Sequence, residues 1–382
     1  MELLPRFFKA PEDHFFLLGP RGTGKTLLSQ TLFPKALWVD LLEPETLRSL
    51  SARPERLKEL IGGRPDAQQV VIDEVQKLPN LLEISHLLIE EKKGIQFIFT
   101  GSSARKLRRG GVNLLGGRAV QKNLHPFMAA ELGAGFDIGE ALRIGMLPVV
   151  RGGKSPEEIL RAYSGLYLRE EIQMEGMVRN IGSFSRFLEA ISFSQGAVLN
   201  MANVARECHT NRKTVEGYLE VLEDLLLAFR VPVFTKKAQR QLAAHPKFFF
   251  FDAGVFRVNR PSGPLDAPSE IDGAALEGLV AQHLQTWCDY SGGNFRLYYW
   301  QTRSKVEVDF VVYGDNGLFA LEVKNSGQVR QEDLRGLKNF GEDFPESRRL
   351  LLYRGKERFL RDHILCMPCD EFLLQLKPGV FP

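Results

Sequence analysis

Hydrophobic and polar positions follow two alternating patterns along the first 124 residues. Short apolar runs predict buried strands at 15–18, 36–40, 69–73 and 95–100. The segments between these runs have helical spacing and predict helices, one beginning near Lys25 and another at 81–92. Strands that alternate with helices in this way predict the α/β fold class, with a parallel sheet and crossover helices.

The pattern changes several times after residue 124. Residues 125–196 show helical spacing alone and predict a helical lid region. Residues 197–258 hold two helical patterns joined by a polar turn and followed by short strand-like runs, which is typical of a winged helix-turn-helix. The Pro-, Gly-, Asp- and Ser-rich stretch 259–273 predicts a linker. Residues 274–382 predict a second α/β domain, and residues 1–124 form the first.

Composition narrows the class of protein. The chain has 382 residues, more than one domain usually holds, and its 44% hydrophobic and 25% charged residues are close to globular averages. No apolar run approaches the roughly 20 residues that cross a bilayer, and the first residues are too charged for a signal peptide. We therefore expect a cytoplasmic protein without a membrane partner. Its four cysteines are too few for a disulfide framework, and its formal net charge of +3 neither requires nor excludes nucleic acid.

A phosphate-binding loop is the strongest motif. Residues 19–26 have the sequence GPRGTGKT, which fits G-x-x-x-x-G-K-[ST] between a predicted strand and a predicted helix. Its glycines let successive backbone N–H groups face a phosphate. We expect Lys25 to reach the β- and γ-phosphates of ATP and the Thr26 hydroxyl to hold Mg²⁺. The residues predicted to bind the nucleotide are Gly19, Pro20, Arg21, Gly22, Thr23, Gly24, Lys25, Thr26, Leu27 and Ser102.

Four residues outside the loop complete this predicted site. Asp73 ends a predicted strand and is a predicted Mg²⁺ ligand, and Glu74 is predicted to orient and deprotonate the attacking water. Ser102 follows the next strand, where a hydroxyl suits contact with the γ-phosphate and where a plain turn is an equal alternative. Arg118 follows two glycines and is a candidate to stabilise transition-state charge, in its own subunit or a neighbour's. A solvated basic loop is the alternative for Arg118.

The second helix of the predicted helix-turn-helix begins with the polar and basic residues 211–214. Residues of this kind contact phosphates and base edges when such a helix enters a major groove. Between residues 200 and 247, eight Lys and Arg residues stand against five Asp and Glu residues, so the region is only mildly basic. A winged helix that serves protein contacts is an equal alternative. The basic residues expected on the wing are Lys236, Lys237 and Arg240.

Charged residues mark the C-terminal part. Alternation at 306–312 and 318–324, around the turn GDNG, predicts a hairpin on which Asp309 and Glu322 lie on paired strands. Lys324 then shares a face with Glu322. Two carboxylates with a lysine suit a Mg²⁺-dependent phosphodiesterase, in which the acids hold the metal and the lysine positions water.

This arrangement resembles the PD-(D/E)XK nuclease core. The resemblance implies a further metal ligand on a helix, and Glu277 matches that place. Val308 stands where the proline of the motif's name would be. A degenerate nuclease fold that binds without cutting is the alternative.

The motifs GPRGTGKT, VVIDEVQKLP, FIFTGSSARKL, LLGGRAV and HPFMAAEL together resemble prokaryotic AAA+ ATPases of the MNS group, whose C-terminal half is an uncharacterised domain. The resemblance extends over almost the whole chain through NRKTVEGYLEVLEDLLLAFRV, KFFFFDAG, YYWQTRSKVEVDFVV and ALEVKNS. It implies an AAA+ ATPase with Lys25, Thr26, Asp73 and Glu74 as Walker-type residues. The Gly-Gly before Arg118 departs from the usual Ala-Gly of that group.

The sequence therefore predicts Mg²⁺-dependent ATP binding and hydrolysis, coupled to a DNA-associated winged helix and a nuclease-like module. The alternative is a nucleotide-gated switch or scaffold that binds DNA or protein without nuclease activity. Besides ATP, the partners left open are DNA, another protein and further copies of this chain.

Overall fold

The computed structural model describes residues 4–91, 94–102, 115–167, 181–235 and 245–382. The chain divides into two compact units. The N-terminal unit comprises Phe8–His125 and Glu223–Leu226, and the C-terminal unit comprises Met1–Phe7, Pro126–Leu222 and Leu227–Pro382. Over the described ranges, no helix is both long enough and apolar enough to cross a membrane.

A parallel sheet forms the centre of the N-terminal unit. Its strands are β1 (His14–Leu18), β2 (Leu37–Asp40), β3 (Gln69–Asp73), β4 (Gln96–Gly101) and β5 (Ala119–Asn123). Every neighbouring pair is parallel, in the order β2-β3-β4-β1-β5. The helices are α1 (Lys25–Leu32), α2 (Pro44–Ala52), α3 (Arg56–Gly62) and α4 (Leu81–Glu90). The predicted α/β class with a parallel sheet is confirmed.

The apolar composition of the strands explains this sheet. Phe15 and Phe16 point to opposite faces of β1, and both are almost fully buried, as expected for a parallel strand covered on both sides. Phe16 pairs with Phe99 of β4, and their rings stack with centroids 4.9 Å apart. Because β4 lies between β1 and β3, the carboxyl ends of all three strands meet at one edge of the sheet.

Helices form the first part of the C-terminal unit. From Pro126 to Asp224 they are α5 (Ala129–Leu132), α6 (Ile138–Ile144), α7 (Pro148–Arg151), α8 (Pro156–Ala162), α9 (Ile181–Ser192), α10 (Met201–Glu207) and α11 (Arg212–Asp224). An antiparallel pair follows, β6 (Ala228–Val231) and β7 (Lys247–Phe250). The helix pair and the strand pair lie where the pattern predicted them. Their assignment to a winged helix stays a prediction.

Two buried carboxylates bind backbone N–H groups in this part. Glu131 accepts hydrogen bonds from the N–H groups of Phe7 at 2.6 Å and Met128 at 2.9 Å, and it pairs with Arg6 at 3.2 Å. Asp252 is fully buried and accepts three backbone hydrogen bonds, two from the helix it caps. Its partners are Met146 at 2.6 Å, Gly254 at 2.9 Å and Val255 at 3.1 Å.

A mixed sheet forms the rest of the C-terminal unit. Its strands are β8 (Arg296–Gln301), β9 (Glu307–Gly314), β10 (Gly317–Lys324), β11 (Arg348–Tyr353), β12 (Phe359–Arg361) and β13 (Ile364–Pro368). The strand order is β12-β13-β11-β10-β9-β8. The helices are α12 (Ala253–Asn259), α13 (Pro268–Ser291), α14 (Arg335–Asp343) and α15 (Cys369–Gln375). The predicted hairpin of β9 and β10 is confirmed, with Gly317 opposite Gly314.

One boundary differs from the sequence prediction. The helix α13 begins at Pro268, inside the stretch 259–273 that composition predicts as a linker. Proline at the first helical position is favourable because its fixed φ suits the helix and its missing N–H has no helical partner there. The polar residues of this first turn resemble a loop in composition alone.

Helices cover both faces of the mixed sheet. Ala320 packs with Leu337 and Phe340 of α14, whereas its neighbour Phe319 lies edge-on to Trp287 of α13. Successive strand residues point to opposite faces, so α13 and α14 lie on different sides. The segment after β6 joins the edge of this sheet, since the N–H of Phe234 donates to the carbonyl oxygen of Tyr299 at 2.6 Å. The pair β6–β7 is thereby fixed beside β8.

Candidate functional site

The loop GPRGTGKT forms the turn between β1 and α1. Gly22 and Gly24 have φ values of +81° and +89°, a conformation that residues with a side chain rarely adopt. Gly19 is required for another reason, because a Cβ there would lie 2.5 Å from the carbonyl oxygen of Leu124. These glycines produce the tight curve of a phosphate-binding loop, and the N-terminal N–H groups of α1 follow directly after it.

Lys25 is the first residue of α1 and is 5% exposed. Its Nζ donates to the carbonyl oxygens of Gly19 at 2.8 Å and Pro20 at 3.1 Å. Thr23 Oγ1 donates to the same Pro20 oxygen at 2.8 Å. The ammonium group therefore lies over the loop. A phosphate would give it a charged acceptor in place of neutral carbonyls.

The two predicted Mg²⁺ ligands of the N-terminal unit, Thr26 and Asp73, contact each other. Thr26 Oγ1 on α1 donates to Asp73 Oδ2 at the end of β3, at 2.9 Å. Thr100 Oγ1, near the end of β4, donates to the other oxygen, Asp73 Oδ1. Asp73 is 1% exposed and Thr100 is fully buried. Hydroxyl and carboxylate oxygens are the ligands that Mg²⁺ prefers, so these side chains fit the metal that accompanies a nucleoside triphosphate.

Glu74 follows the last residue of β3 and has the left-handed conformation, with φ +58°. Its backbone N–H donates to Thr100 Oγ1 at 3.0 Å, and the 3₁₀ turn Val75–Lys77 follows. Gln76 on this turn donates from Nε2 to Glu74 Oε2 and, at 3.3 Å, to Ser102 Oγ. The sequence prediction missed Gln76. The signal that could have found it is its position two residues after Glu74.

Three other predicted residues lie at the surface. Arg118 Nε donates to Glu90 Oε1 of α4, and 42% of the arginine side chain is exposed. Arg21 is exposed, and Leu27 is 52% exposed. The structure thus pairs Arg118 with a surface helix, and its role at the phosphates stays a prediction.

A second group of charged side chains lies in the C-terminal unit. Glu322 follows Leu321 on β10, and Asp309 precedes Phe310, the partner of Leu321, on the antiparallel strand β9, so the two carboxylates are neighbours. Asp309 Oδ2 accepts the N–H of Val323 at 2.9 Å. Lys324 Nζ donates to Glu322 Oε1 at 2.7 Å. Glu277 is the remaining predicted residue, and one further side chain contacts both Glu277 and Asp309.

That side chain is Lys247 on β7, which the sequence prediction missed. Its Nζ lies 3.1 Å from Glu277 Oε1 and 3.4 Å from Asp309 Oδ1, and it also pairs with Glu307 Oε1. The Lys247 side chain is 2% exposed. No motif indicates this contact, because Lys247 is 30 residues from Glu277 and 62 residues from Asp309 along the chain. We call Lys247, Glu277, Glu307, Asp309, Glu322 and Lys324 the C-terminal charge cluster.

Burial and crowding change the protonation of this cluster. Burial raises the pKa of Glu277 to about 8, with Asp309 adding to the rise and Lys247 opposing it. Burial raises the pKa of Glu322 to about 8 as well, and Asp309 adds to the rise. Burial alone would lower the pKa of Lys247, but Glu277, Asp309 and Glu307 outweigh burial and raise it. The two ammonium groups of Lys247 and Lys324 cannot neutralise all four carboxylates, so we expect the cluster to retain a proton at neutral pH.

Lys247 bears directly on the predicted metal site. Its ammonium group contacts the oxygens of Glu277 and Asp309 that a metal would need, and its charge repels a divalent cation. In the part of the chain that the structure describes, no three His, Cys, Asp or Glu side chains are arranged to hold a metal ion. Glu322 Oε2 is buried without a hydrogen-bond partner there. With Lys247 in place the cluster does not fit a divalent cation, and the catalytic roles of Asp309, Glu322 and Lys324 stay predictions.

The helix predicted to meet DNA begins with a capped turn. Asn211 Oδ1 accepts the N–H of Thr214 at 2.8 Å, and Arg212 pairs with Glu216 one turn along α11 at 2.7 Å. Part of the positive charge at this helix end is thereby balanced within the helix. The predicted wing residues Lys236, Lys237 and Arg240 lie outside the described residues.

Three sequence families match successive stretches of the chain. Residues 12–133 match an AAA domain. Residues 136–260 match a domain of unknown function (DUF8612), and residues 272–372 match another (DUF4143). The AAA match contains the loop, Asp73, Glu74 and Arg118, and it indicates nucleotide binding of the ATPase type. The chain therefore combines an ATPase-like domain with a C-terminal domain of unknown function.

No curated protein matches the chain. Among solved structures, the crystal structure of protein VC1899 from Vibrio cholerae is 14% identical, covering 95% of this chain and 96% of that one. The TM-score of 0.23 is too low to indicate a shared fold.

Proposed function

We propose that the N-terminal unit binds ATP together with Mg²⁺ and hydrolyses it. The observation that carries this proposal is the 2.9 Å hydrogen bond between Thr26 and Asp73, which are 47 residues apart in the chain. It places a loop hydroxyl against a buried carboxylate at the sheet edge where phosphates bind in α/β proteins. The AAA match over residues 12–133 supports the same activity.

Each residue of this unit has one role in the proposal. The glycine loop and Lys25 hold the phosphates, and Thr26 and Asp73 hold Mg²⁺. Bound Mg²⁺ supplies charge that offsets the negative phosphates. Glu74 accepts a proton from the attacking water, and Ser102 donates a hydrogen bond to the γ-phosphate or its water.

Two variants test the proposal. Lys25→Ala should abolish binding of a fluorescent ATP analogue, whereas Glu74→Gln should bind the analogue and fail to release phosphate over many turnovers. Lys35→Ala, at an exposed position after α1, is the matched control and should behave as wild type. Normal affinity in Lys25→Ala would exclude this loop as the nucleotide site, and normal turnover in Glu74→Gln would exclude Glu74 as the base.

For the C-terminal unit we propose binding without cleavage, so that the ATPase acts as a nucleotide-gated switch for a DNA or protein partner. The observation that favours this candidate is the position of Lys247, whose ammonium group contacts the carboxylates of Glu277 and Asp309. A Mg²⁺-dependent nuclease built on Asp309, Glu322 and Glu277, with Lys324 positioning water, requires Lys247 to leave that place.

DNA assays separate the two candidates. Full-length protein is incubated with single- and double-stranded DNA, ATP, and either Mg²⁺ or Mn²⁺, and both cleavage and binding anisotropy are recorded. The switch predicts uncut DNA and an affinity for DNA or a protein partner that differs between ATP-bound Glu74→Gln and nucleotide-free protein. Cleavage that disappears in Asp309→Ala while ATP hydrolysis persists would establish the nuclease instead.

Self-association is the remaining part of the proposal. If Arg118 of one copy acts at the nucleotide of another, the ATPase rate per chain should rise with protein concentration, and Arg118→Ala should abolish that rise. A rate per chain that does not depend on concentration would assign any effect of Arg118 to its own subunit.

A further inference from the structure

Polar side chains at the ends of β3 and β4 form a connected group, and Gln76 joins two members of it. The Gln76 Nε2 group donates to Glu74 Oε2 and, at 3.3 Å, to Ser102 Oγ. A side-chain amide nitrogen carries two hydrogens, so one amide can make both contacts. Gln76 thus links the proposed base to the hydroxyl proposed to contact the γ-phosphate.

Charge and space fix the orientation of this amide. An ionised carboxylate only accepts hydrogen bonds, so the NH₂ side of Gln76 must face Glu74. On the opposite side, a Cβ at Gly101 would lie 2.6 Å from Gln76 Oε1. Glycine at the end of β4 therefore leaves the room that the amide carbonyl occupies. The position of the amide depends on Gly101 as well as on Glu74.

The backbone of Glu74 is held separately. It has φ +58°, and its N–H donates to Thr100 Oγ1, while the Thr100 hydroxyl donates to Asp73. With the backbone fixed by Thr100 and the carboxylate held by Gln76, the Glu74 side chain has little freedom to turn. A base held in one geometry avoids the entropic cost of finding it during the reaction.

We propose that Gln76 is a positioning residue of the nucleotide site, which orients the Glu74 carboxylate and ties its position to Ser102. This inference rests on the proposed ATP hydrolysis with Glu74 as the base. Gln76 acts through Glu74 and affects the rate of turnover, whereas ATP affinity depends on the loop, Lys25 and the metal ligands.

Turnover and affinity are measured separately in three variants of the full chain. Gln76→Ala removes the amide and should lower kcat roughly tenfold, the effect expected for one hydrogen bond to a charged group, with unchanged affinity for an ATP analogue. Gln76→Asn keeps the amide on a side chain one carbon shorter and should not restore kcat. Gly101→Ala keeps Gln76 and displaces its amide, so it should also lower kcat, as Gln76→Ala does. Lys77→Ala, exposed on the same turn, is the control and should match wild type.

Several outcomes would overturn the inference. Wild-type or higher kcat in Gln76→Ala would show that the amide does not help the base. An equal loss of kcat and affinity, with a lower melting temperature, would show a structural role. If wild-type protein does not hydrolyse ATP, or if Glu74→Gln does, the proposed function fails and this inference fails with it. If those tests succeed and Gln76→Ala is normal, only the role of Gln76 is wrong.

Discussion

Replacing Lys247 by methionine removes the cation shared by the carboxylates of Glu277, Glu307 and Asp309 and keeps a long side chain in its place. At the observed distances of 3.1 and 3.4 Å, each attraction amounts to about 5 kcal/mol for an effective dielectric constant of about 20. Desolvation of the charges offsets much of it. Removing one partner of a buried ion pair typically destabilises a protein by about 3–5 kcal/mol, and we expect a loss of that size at pH 8. The loss should be smaller at pH 5, where the carboxylates can take up protons.

Tryptophan fluorescence can report on the C-terminal unit alone. Trp287 and Trp300 lie in this unit, and Trp38 lies in the N-terminal unit, so Trp38→Phe provides a suitable background for urea unfolding. The matched control is Lys338→Met, which breaks an ion pair with Asp362 in which both side chains are more than a third exposed. Exposed pairs contribute about 1 kcal/mol or less, so the control should lose far less stability than Lys247→Met.

Divalent cations complete the test. Without the Lys247 ammonium group, Lys324 is the one lysine left for the four carboxylates of the cluster. Mg²⁺ or Mn²⁺ should therefore restore part of the stability of Lys247→Met and leave wild type unchanged. A loss below about 0.5 kcal/mol, the range of ordinary surface substitutions, would refute the reasoning. So would equal stabilisation of wild type and variant by the metal.

Two further predictions concern buried acids. Burial raises the pKa of Glu322 from 4.5 to about 8, so its contribution to stability is full below pH 4.5 and disappears as the pH rises through about 8. Glu322→Gln should therefore have a higher melting temperature than wild type at pH 9 and a similar one at pH 4.5, and parallel profiles would contradict this. Asp252→Ala leaves three buried N–H groups without an acceptor, at about 1–3 kcal/mol each. Urea unfolding should show a loss of at least about 3 kcal/mol, which a change below about 1 kcal/mol would contradict.

The nucleotide site could be predicted because its parts are local in sequence or follow a rule of topology. The loop residues from Gly19 to Thr26 are consecutive, and their glycines indicate directly the backbone conformation that the loop requires. The meeting of Thr26 with Asp73 follows from parallel strands whose carboxyl ends share one edge. Carboxylates on one hairpin, such as Asp309 and Glu322, are likewise fixed by strand register.

Contacts between distant elements could not be predicted in this way. Lys247 precedes a run of phenylalanines, and its burial beside Glu277 depends on how β6 and β7 attach to the edge of β8. No motif marks Gln76, because its contacts with Glu74 and Ser102 depend on the room that Gly101 leaves for its amide. The start of α13 at Pro268 was missed because proline and polar residues favour both loops and first helical turns.

The contacts of Glu131 determine where the chain can be cut into fragments that fold stably. Its buried carboxylate holds Arg6 and the N–H of Phe7, so residues ahead of the parallel sheet complete the unit that resumes at Pro126. Along the chain, Phe8–His125 are thus inserted between two pieces of the other unit. A fragment that starts at Pro126 would retain the acid and lose its counterion, and we expect it to fold less stably than one in which a short linker joins Phe7 to Pro126.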